Sequence, residues 1–312
     1  MKHFGVMLLG FALPACSVLS VAQVVQRTPD VQQVKHKALN VANTPTPEDI
    51  YCGGFISTQR IPDTKRVIAG QNSPDQDHFG GTSDRVFILG AGDSKPGDRL
   101  SILRPARNPN AYETYTGQQA IQKKVGQPYF ERGYVRVLEV QNNLAIAVPE
   151  LSCADIIPGD IAVPFVEREK PVFRDVTLDR YAQPNGKATG RIVMANEFDT
   201  YLGSMQKVYL NIGEDKGLKV GDYLRVTRRY DYAFREPESG LSRLATEADD
   251  TAYNAKKITP EEIKQLPRLT VGDVMVLSVH GNTATAMIMT ALEDIRIGDA
   301  VELMDVSGAP AK

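Results

Sequence analysis

Apolar and polar residues alternate with period two through much of this chain. In "GYVRVLEV" (133–140), Tyr134, Arg136 and Glu139 fall among the apolar Val135, Val137, Leu138 and Val140. Such alternation predicts a strand with one face on a core and the other in water. Two turn residues, Asn142 and Asn143, lead into a second apolar run, "LAIAV", so the stretch predicts a β-hairpin. The same text then returns. "GDVMVLSVHGNTATAMIMTALEDIRIGD" (272–299) lies against 133–160 without a gap, and Gly281–Asn282 takes the place of the first turn. The two agree at 12 of 28 positions, where chance would give about two. An internal repeat of this kind decides the architecture before anything else does.

The repeat extends upstream. "DHFGGTSDRVFI" from Asp77 matches "DTYLGSMQKVYL" from Asp199, pairing Phe79 with Tyr201, Gly81 with Gly203 and Val86 with Val208. Before these, "KRVIA" (65–69) corresponds loosely to "GRIVMA" (190–195). Each copy is then the size of one small domain. The expected organisation is β module one at 51–168, a charged, proline-bearing linker at 169–180, β module two at 181–305 and a tail at 306–312. The fold expected is mostly β, with short helical inserts. "TGQQAIQKKV" in copy one reads as a short amphipathic helix stopped by Gly126 and Pro128. Copy two carries a longer excursion, rich in tyrosine and charge (Tyr230, Tyr232, Phe234, Tyr253). It ends in a well-signed helix start, with Thr259 as cap, then Pro260, Glu261 and Glu262. A long loop on a rigid β scaffold is the natural candidate for an interaction loop, set against a solvated excursion packed on its own module.

Four Gly-Asp pairs punctuate the copies: Gly97–Asp98, Gly159–Asp160, Gly221–Asp222 and Gly298–Asp299. "KPGD" and "IPGD" place Pro second and Gly third, as a type II turn requires, because the third residue needs positive φ. The aspartates are read as bonding nearby backbone donors. A cation site made from Asp98, Asp160, Asp222 and Asp299 is the weaker reading, since hard cations need converging oxygens.

The first residues stand apart from this pattern. "MKH" is basic, "FGVMLLGFALPAC" is apolar, and Ser20 and Ala22 stand where signal peptidase prefers small residues. A signal peptide over 1–22 is expected, with an exposed arm over 23–50 in which Thr46, Pro47, Glu48 and Asp49 start one helical turn. Lipidation at Cys16 is the less favoured alternative, because Pro14 fits that signal poorly. No later stretch approaches spanning length, so no transmembrane segment is expected after cleavage. Export leaves Cys52 and Cys153, a candidate disulfide in an oxidising compartment, with two unpaired buried thiols as the alternative.

A formal net charge of −2 and a pI near 6.1 give no electrostatic footprint for nucleic acid. Of the four histidines, His3 belongs to the signal and His36 to the arm, while His78 and His280 stand alone. "DQDH" (75–78) is the densest ligand-like cluster but reads as a solvated turn. No zinc spacing, P-loop, dinucleotide fingerprint or nucleophile elbow occurs. Neither a catalytic residue, a metal nor a cofactor is expected.

In module two, Gly213, Gly217, Leu218, Gly221 and Asp222, closed by Gly298 and Asp299, resemble the C-terminal domain of the flagellar assembly protein T family. Module one resembles it more weakly, lacking the first half of the turn motif. The resemblance implies two tandem SH3-like β-barrels in an exported, non-catalytic envelope protein. That family's other domains have no counterpart here, so its flagellar role is not implied. The expected function is a binding or structural component of the periplasm or cell envelope, partnered by an envelope protein or cell-wall polymer. The alternatives are a peptidoglycan or polysaccharide binder, and an envelope hydrolase with its site between the modules.

Overall fold

The computed structural model describes residues 44–73, 77–107, 113–229 and 259–305. After a short helix α1 (Pro47–Tyr51) come β1 (Phe55–Ser57), β2 (Arg66–Gly70), β3 (Val86–Leu89) and β4 (Arg99–Pro105). Helix α2 (Gln118–Val125), β5 (Gln127–Gln141), β6 (Leu144–Ser152) and β7 (Ile161–Pro164) complete the first half. The second half contains β8 (Thr189–Ala195), β9 (Tyr201–Leu202), β10 (Lys207–Leu210) and β11 (Tyr223–Arg228). It continues with α3 (Pro260–Gln265), β12 (Leu269–His280), β13 (Thr283–Ala291), β14 (Ile295–Arg296) and β15 (Ala300–Leu303).

Each half closes into a six-stranded antiparallel barrel with the same strand order. Barrel one runs β3-β6-β5-β4-β7-β2 and closes where β2 pairs with β3. Barrel two runs β10-β13-β12-β11-β15-β8 and closes where β8 pairs with β10. The repeated 28 residues form the long hairpins β5–β6 and β12–β13. Their register shifts fall at equivalent places, between Tyr134/Val135 and Val137/Glu139 in one and between Asp273/Val274 and Val276/Ser278 in the other. The shared Gly133/Gly272 sits at the first bulge. A Cβ there would stand 1.9 Å from Leu151 O in barrel one and 2.3 Å from the equivalent Thr290 O in barrel two, so the backbones approach too closely for any side chain.

Alternation puts one set of residues inside each barrel. Val86, Ile102, Val135 and Val137 fill barrel one, and their equivalents Val208, Val226, Val274 and Val276 fill barrel two. The small Ala145/Ala284 and Ala147/Ala286 are buried opposite them. Burial of such side chains contributes roughly 1.5–3 kcal/mol each, which is what makes closure of so small a barrel favourable.

One expected equivalence is displaced. Phe79 bridges Ile156, and in barrel two Leu202, not Tyr201, pairs with the equivalent Ile295. Phe79 and Leu202 are both 2% exposed, whereas Tyr201 is 44% exposed. Copy two therefore has one residue fewer between this bridge and the next strand. A second difference concerns the N-terminal stretch expected to be an exposed arm: its last residues, Asp49 and Ile50, are buried. The linker, expected as a connector, forms an extended strap on barrel two, where Phe173 and Val176 pack against Tyr223, Met275 and Met289.

Candidate functional site: the joint and the outer faces

Residues 46–57 are wedged between the barrels. Thr46 caps α1 with a reciprocal box to Asp49, and Pro47 opens the first turn. Asp49 also meets Lys207 of barrel two, Nζ to Oδ1 2.6 Å. Burial works against its charge, but the bonds from Lys207 and Thr46 prevail and hold the carboxyl below its usual range. Next, Cys52 is joined to Cys153 in a disulfide with Cα atoms 5.4 Å apart. Strand β1 then pairs with β5 of barrel one while its carbonyls face barrel two. Thr283 Oγ1 donates to Ile56 O (2.9 Å), Thr285 Oγ1 to Gly54 O (2.7 Å) and Tyr209 Oη to Gly53 O (2.9 Å). A short piece of backbone is thus a strand for one barrel and a row of acceptors for the other.

Beside this wedge lies a cleft of about 520 Å³, lined by Phe55, Ile61, Leu103, Val163, Leu277 and Val279, with Glu131, Arg168, Ser278 and His280 among them. Apolar clefts of this size at junctions are the usual places for ligands. Its buried carboxylate, Glu131, and the arginine beside it are occupied. Glu131, 5% exposed, takes Arg168 Nη2 on Oε1, and Gly54 N (3.0 Å) and Arg168 Nη1 (3.2 Å) on Oε2. Arg168 Nη1 also donates to Ile50 O (2.7 Å). Burial raises the Glu131 carboxyl in spite of Arg168. His280 stacks on Phe55, centroids 4.5 Å apart. Its Nε2 is buried without a hydrogen-bond partner. Burial, then the Arg168 charge, bring its pKa down to about 4, so the ring is neutral at pH 7.

The four Gly-Asp turns are spread over the barrels and share one geometry. Gly97, Gly159, Gly221 and Gly298 have φ of 94°, 98°, 85° and 99°. In each turn the Asp amide bonds the carbonyl three residues back, at 3.0–3.2 Å, and the Asp Oδ2 accepts that same residue's amide at 2.8 Å. The second Asp of each barrel has a further partner that sequence reasoning missed. Arg104 bonds Asp160 through Nε and Nη2 (2.6 and 2.8 Å) and Asp155 O through Nη2 (2.9 Å). Arg228 repeats this on Asp299 (2.9 and 2.7 Å) and Asp294 O (2.6 Å). The signal was present: an arginine stands six residues after the turn aspartate in both "GDRLSILR" and "GDYLRVTR". The aspartates do not converge. Among the described residues no group of three or more His, Cys, Asp or Glu comes together to hold a metal ion. His78 lies exposed beside Asp77, 2.6 Å away, and the candidate loop residues Tyr230, Tyr232, Phe234 and Tyr253 lie outside the described residues. Among the described residues no helix is long and apolar enough to cross a membrane.

The outer faces differ most. Strand register makes Arg99 and Arg136 of barrel one equivalent to Tyr223 and Met275 of barrel two, each pair being cross-strand neighbours. Glu150 and Phe165 correspond to Met289 and Met304, and the Phe165 and Met304 amides bond Arg99 O and Tyr223 O alike. On barrel two this face is apolar and lies under the strap, with Arg174 N donating to Tyr223 Oη at 2.9 Å. On barrel one it is charged and about half exposed at Arg99 and Arg136, with Tyr51 of α1 packed on Tyr134 and Phe165 beside them at 5.7 and 5.2 Å. Arg99 Nε and Arg136 Nε each bond one oxygen of Glu150 at 2.7 Å. Arg99 also lies over the Tyr134 and Phe165 rings at 5.6 and 5.8 Å.

Compared with known protein families and with curated proteins, the chain matches none of them.

Proposed function

We propose that this chain is an exported, non-catalytic component of the cell envelope that binds or structurally supports another envelope component. One observation carries the reading: the two buried carboxylates of the inter-barrel joint are spent on fastening the wedge. Glu131 is satisfied by Arg168 and Gly54 N and Asp49 by Lys207, which leaves His280, stacked on Phe55, as the imidazole lining the cleft. A general acid or base needs a group within reach of substrate and free to exchange a proton. The joint instead holds two rigid surfaces in fixed relation. The Cys52–Cys153 bond is compatible with an oxidising compartment, and the motif resemblance points the same way.

The hydrolase reading has one observation in its favour, since Glu131, Ser278 and His280 line a single cleft. Purified protein is to be incubated with isolated envelopes and, separately, with ester, glycan and peptide substrates. Association with envelopes without turnover is the outcome expected. Turnover that disappears in His280→Gln would replace the binding reading with the hydrolase.

A further inference from the structure

The chain contains its own precedent for how this barrel's outer face is used. On barrel two an extended strand-less segment, residues 171–180, crosses the face made by Tyr223, Met275 and Met289, placing Phe173 and Val176 on it. The equivalent face of barrel one has no such strap among the described residues, and a cavity of about 610 Å³ opens there, lined by Lys65, Arg99, Arg136, Pro164 and Phe165 together with Asp93 and Asp98. Its chemistry has been changed to match. Tyr223 and Met275 are replaced by two guanidiniums and Met289 by the one carboxylate they share, so the triad Arg99–Glu150–Arg136 carries one positive charge in excess. Each arginine bonds Glu150 through Nε, and the side chains are 49% and 45% exposed. The Nη donors of these guanidinium forks not used on Glu150 are the groups that could meet a further carboxylate. Of the other acids of the cavity, Asp93 is offset by Lys65 at 2.7 Å, while Asp98 takes the Lys95 amide on Oδ2 and lies in the turn at the cavity's edge. Tyr134 and Phe165, ring centroids 4.7 Å apart, are half-buried beside the forks, with Tyr51 packed against both at 5.7 and 5.2 Å, and their remaining exposed edges supply a narrow apolar ledge.

We infer that this open face of barrel one is a docking site for an extended acidic peptide segment of a partner protein, lying as residues 171–180 lie on barrel two. Carboxylates of the segment meet the Arg99 and Arg136 forks, and an apolar side chain rests on Phe165 and Tyr134. This rests on the reading of the chain as a binding component and names where and what it binds.

The test uses the full mature chain and a fluorescein-labelled decapeptide with the sequence of residues 171–180 carrying Arg174→Glu and Arg180→Glu. Fluorescence anisotropy should show binding that weakens as salt is raised. The Arg99→Gln/Arg136→Gln double variant, which removes both positive charges at exposed positions without adding like charges beside Glu150, should stay folded in a thermal melt and lose about tenfold or more in affinity. Lack of binding by the wild-type protein, or equal binding by the variant, overturns the inference. So does binding of polygalacturonate in place of the peptide, or a wild-type dimer in light scattering that the variant dissolves. Because the assay uses purified protein, it is independent of compartment. A wild type that associates with envelopes but ignores the peptide overturns only the peptide site. Peptide binding without envelope association upholds the site and removes the envelope reading.

Discussion

Where barrel one carries Arg99, Arg136 and Glu150, barrel two carries Tyr223, Met275 and Met289, on strands that pair in the same order and register. Inside the barrels both copies stay apolar: Val86/Val208, Val135/Val274, Val137/Val276, Ala145/Ala284 and Ala147/Ala286 are kept, and the exchanges at Ile102/Val226, Val67/Ile192 and Ala162/Val301 are of apolar for apolar. A closed six-stranded barrel limits change within to apolar swaps, because interiors are packed like crystals and total volume must be kept. The outside is free to diverge. Barrel two has spent its outer face on the molecule itself, taking the strap over the methionines and the wedge over Thr283 and Thr285. Barrel one takes the wedge on one edge and, through Tyr51, against Tyr134 and Phe165, but leaves Arg99 and Arg136 about half exposed. Duplication has yielded one scaffold barrel and one presenting barrel.

The largest expected difference between the copies is covalent. Barrel one is cross-linked through Cys153, whose counterpart in barrel two is Leu292. The Cys52–Cys153 bond spans a sequence separation of 101, and in the chain-entropy account a loop of that length stabilises by about 4–5 kcal/mol. Cys52→Ser/Cys153→Ser should show that loss in a urea melt, with Cys52 and Cys153 of the wild type giving no reactive thiol when the protein is denatured without reductant. Two thiols per chain would remove the bridge from the account.

Next come the buried ion pairs, which are built alike and should fail alike. Arg228→Met leaves Asp299 at 1% exposure without its guanidinium, and Arg104→Met does the same to Asp160, also at 1%. Removing one partner of such a pair costs about 3–5 kcal/mol. Arg228 is the less exposed arginine, 14% against 26%, so its replacement should cost the more. A surface-sized loss of under about 1 kcal/mol at either site would show that the repeated lock is ornamental there.

The copies should also part in their response to acid. Asp273 stands where barrel one has Tyr134, and burial raises its pKa to about 6, against the hydrogen bonds from Thr290. A carboxyl raised on folding binds more protons in the native state, so stability from Asp273 rises as pH falls from about 6 towards 4. His280, lowered to about 4, binds fewer protons when folded, and its contribution falls as pH drops from about 6.5 towards 4. Relative to wild type, Asp273→Asn should therefore lose ground on acidification and His280→Gln should gain it, each on the order of 2–3 kcal/mol across that window. Unfolding curves at pH 4, 5, 6 and 7 settle the two signs separately. Reversed signs would refute the burial argument for either residue.

Much of the fold was legible because the same constraints act twice. The hairpin turns, the helix caps at Thr46 and Thr259 and the alternation of Val135/Val274 and Val137/Val276 are local, and local chemistry is written in adjacent residues. The slip of Phe79 against Tyr201 shows the limit. Two aromatic residues in matching phrases invite one register, and only the burial of Leu202 reveals the other. The arginine locks lay in plain sight at fixed spacing, yet an isolated arginine in a strand gives no hint of which buried carboxylate it meets. The wedge was not legible at all. Its contacts join backbone carbonyls of 53–56 to hydroxyls more than 150 positions away, and a carbonyl carries no sequence signal. The expected interaction loop at Tyr230–Tyr253 drew attention by composition, whereas the open face of barrel one depends on cross-strand neighbours that only register brings together.

The smallest expected effects concern the turns. Gly221 and Gly97 hold positive φ at equivalent places, but a Cβ on Gly221 would lie 3.8 Å from Pro171 of the strap, while one on Gly97 meets nothing within 4 Å. Gly221→Val should cost about 1–3 kcal/mol and Gly221→Ala less. Asn should cost least, since it tolerates the left-handed region. The same series at Gly97 should follow the same order. Equal stability for Val and Gly in a chemical melt would mean that the turn does not demand its glycine.

The division of labour between the barrels is tested most directly by arginine footprinting with a phenylglyoxal reagent, read by mass spectrometry, on the purified protein alone and on the purified protein mixed with isolated cell envelopes. Arg99 and Arg136 should react in the protein alone and be protected when envelopes are added, with Arg228 unreactive in both. Equal reaction of Arg99 and Arg136 in both settings would contradict that division, and barrel one would then be as much a scaffold as barrel two.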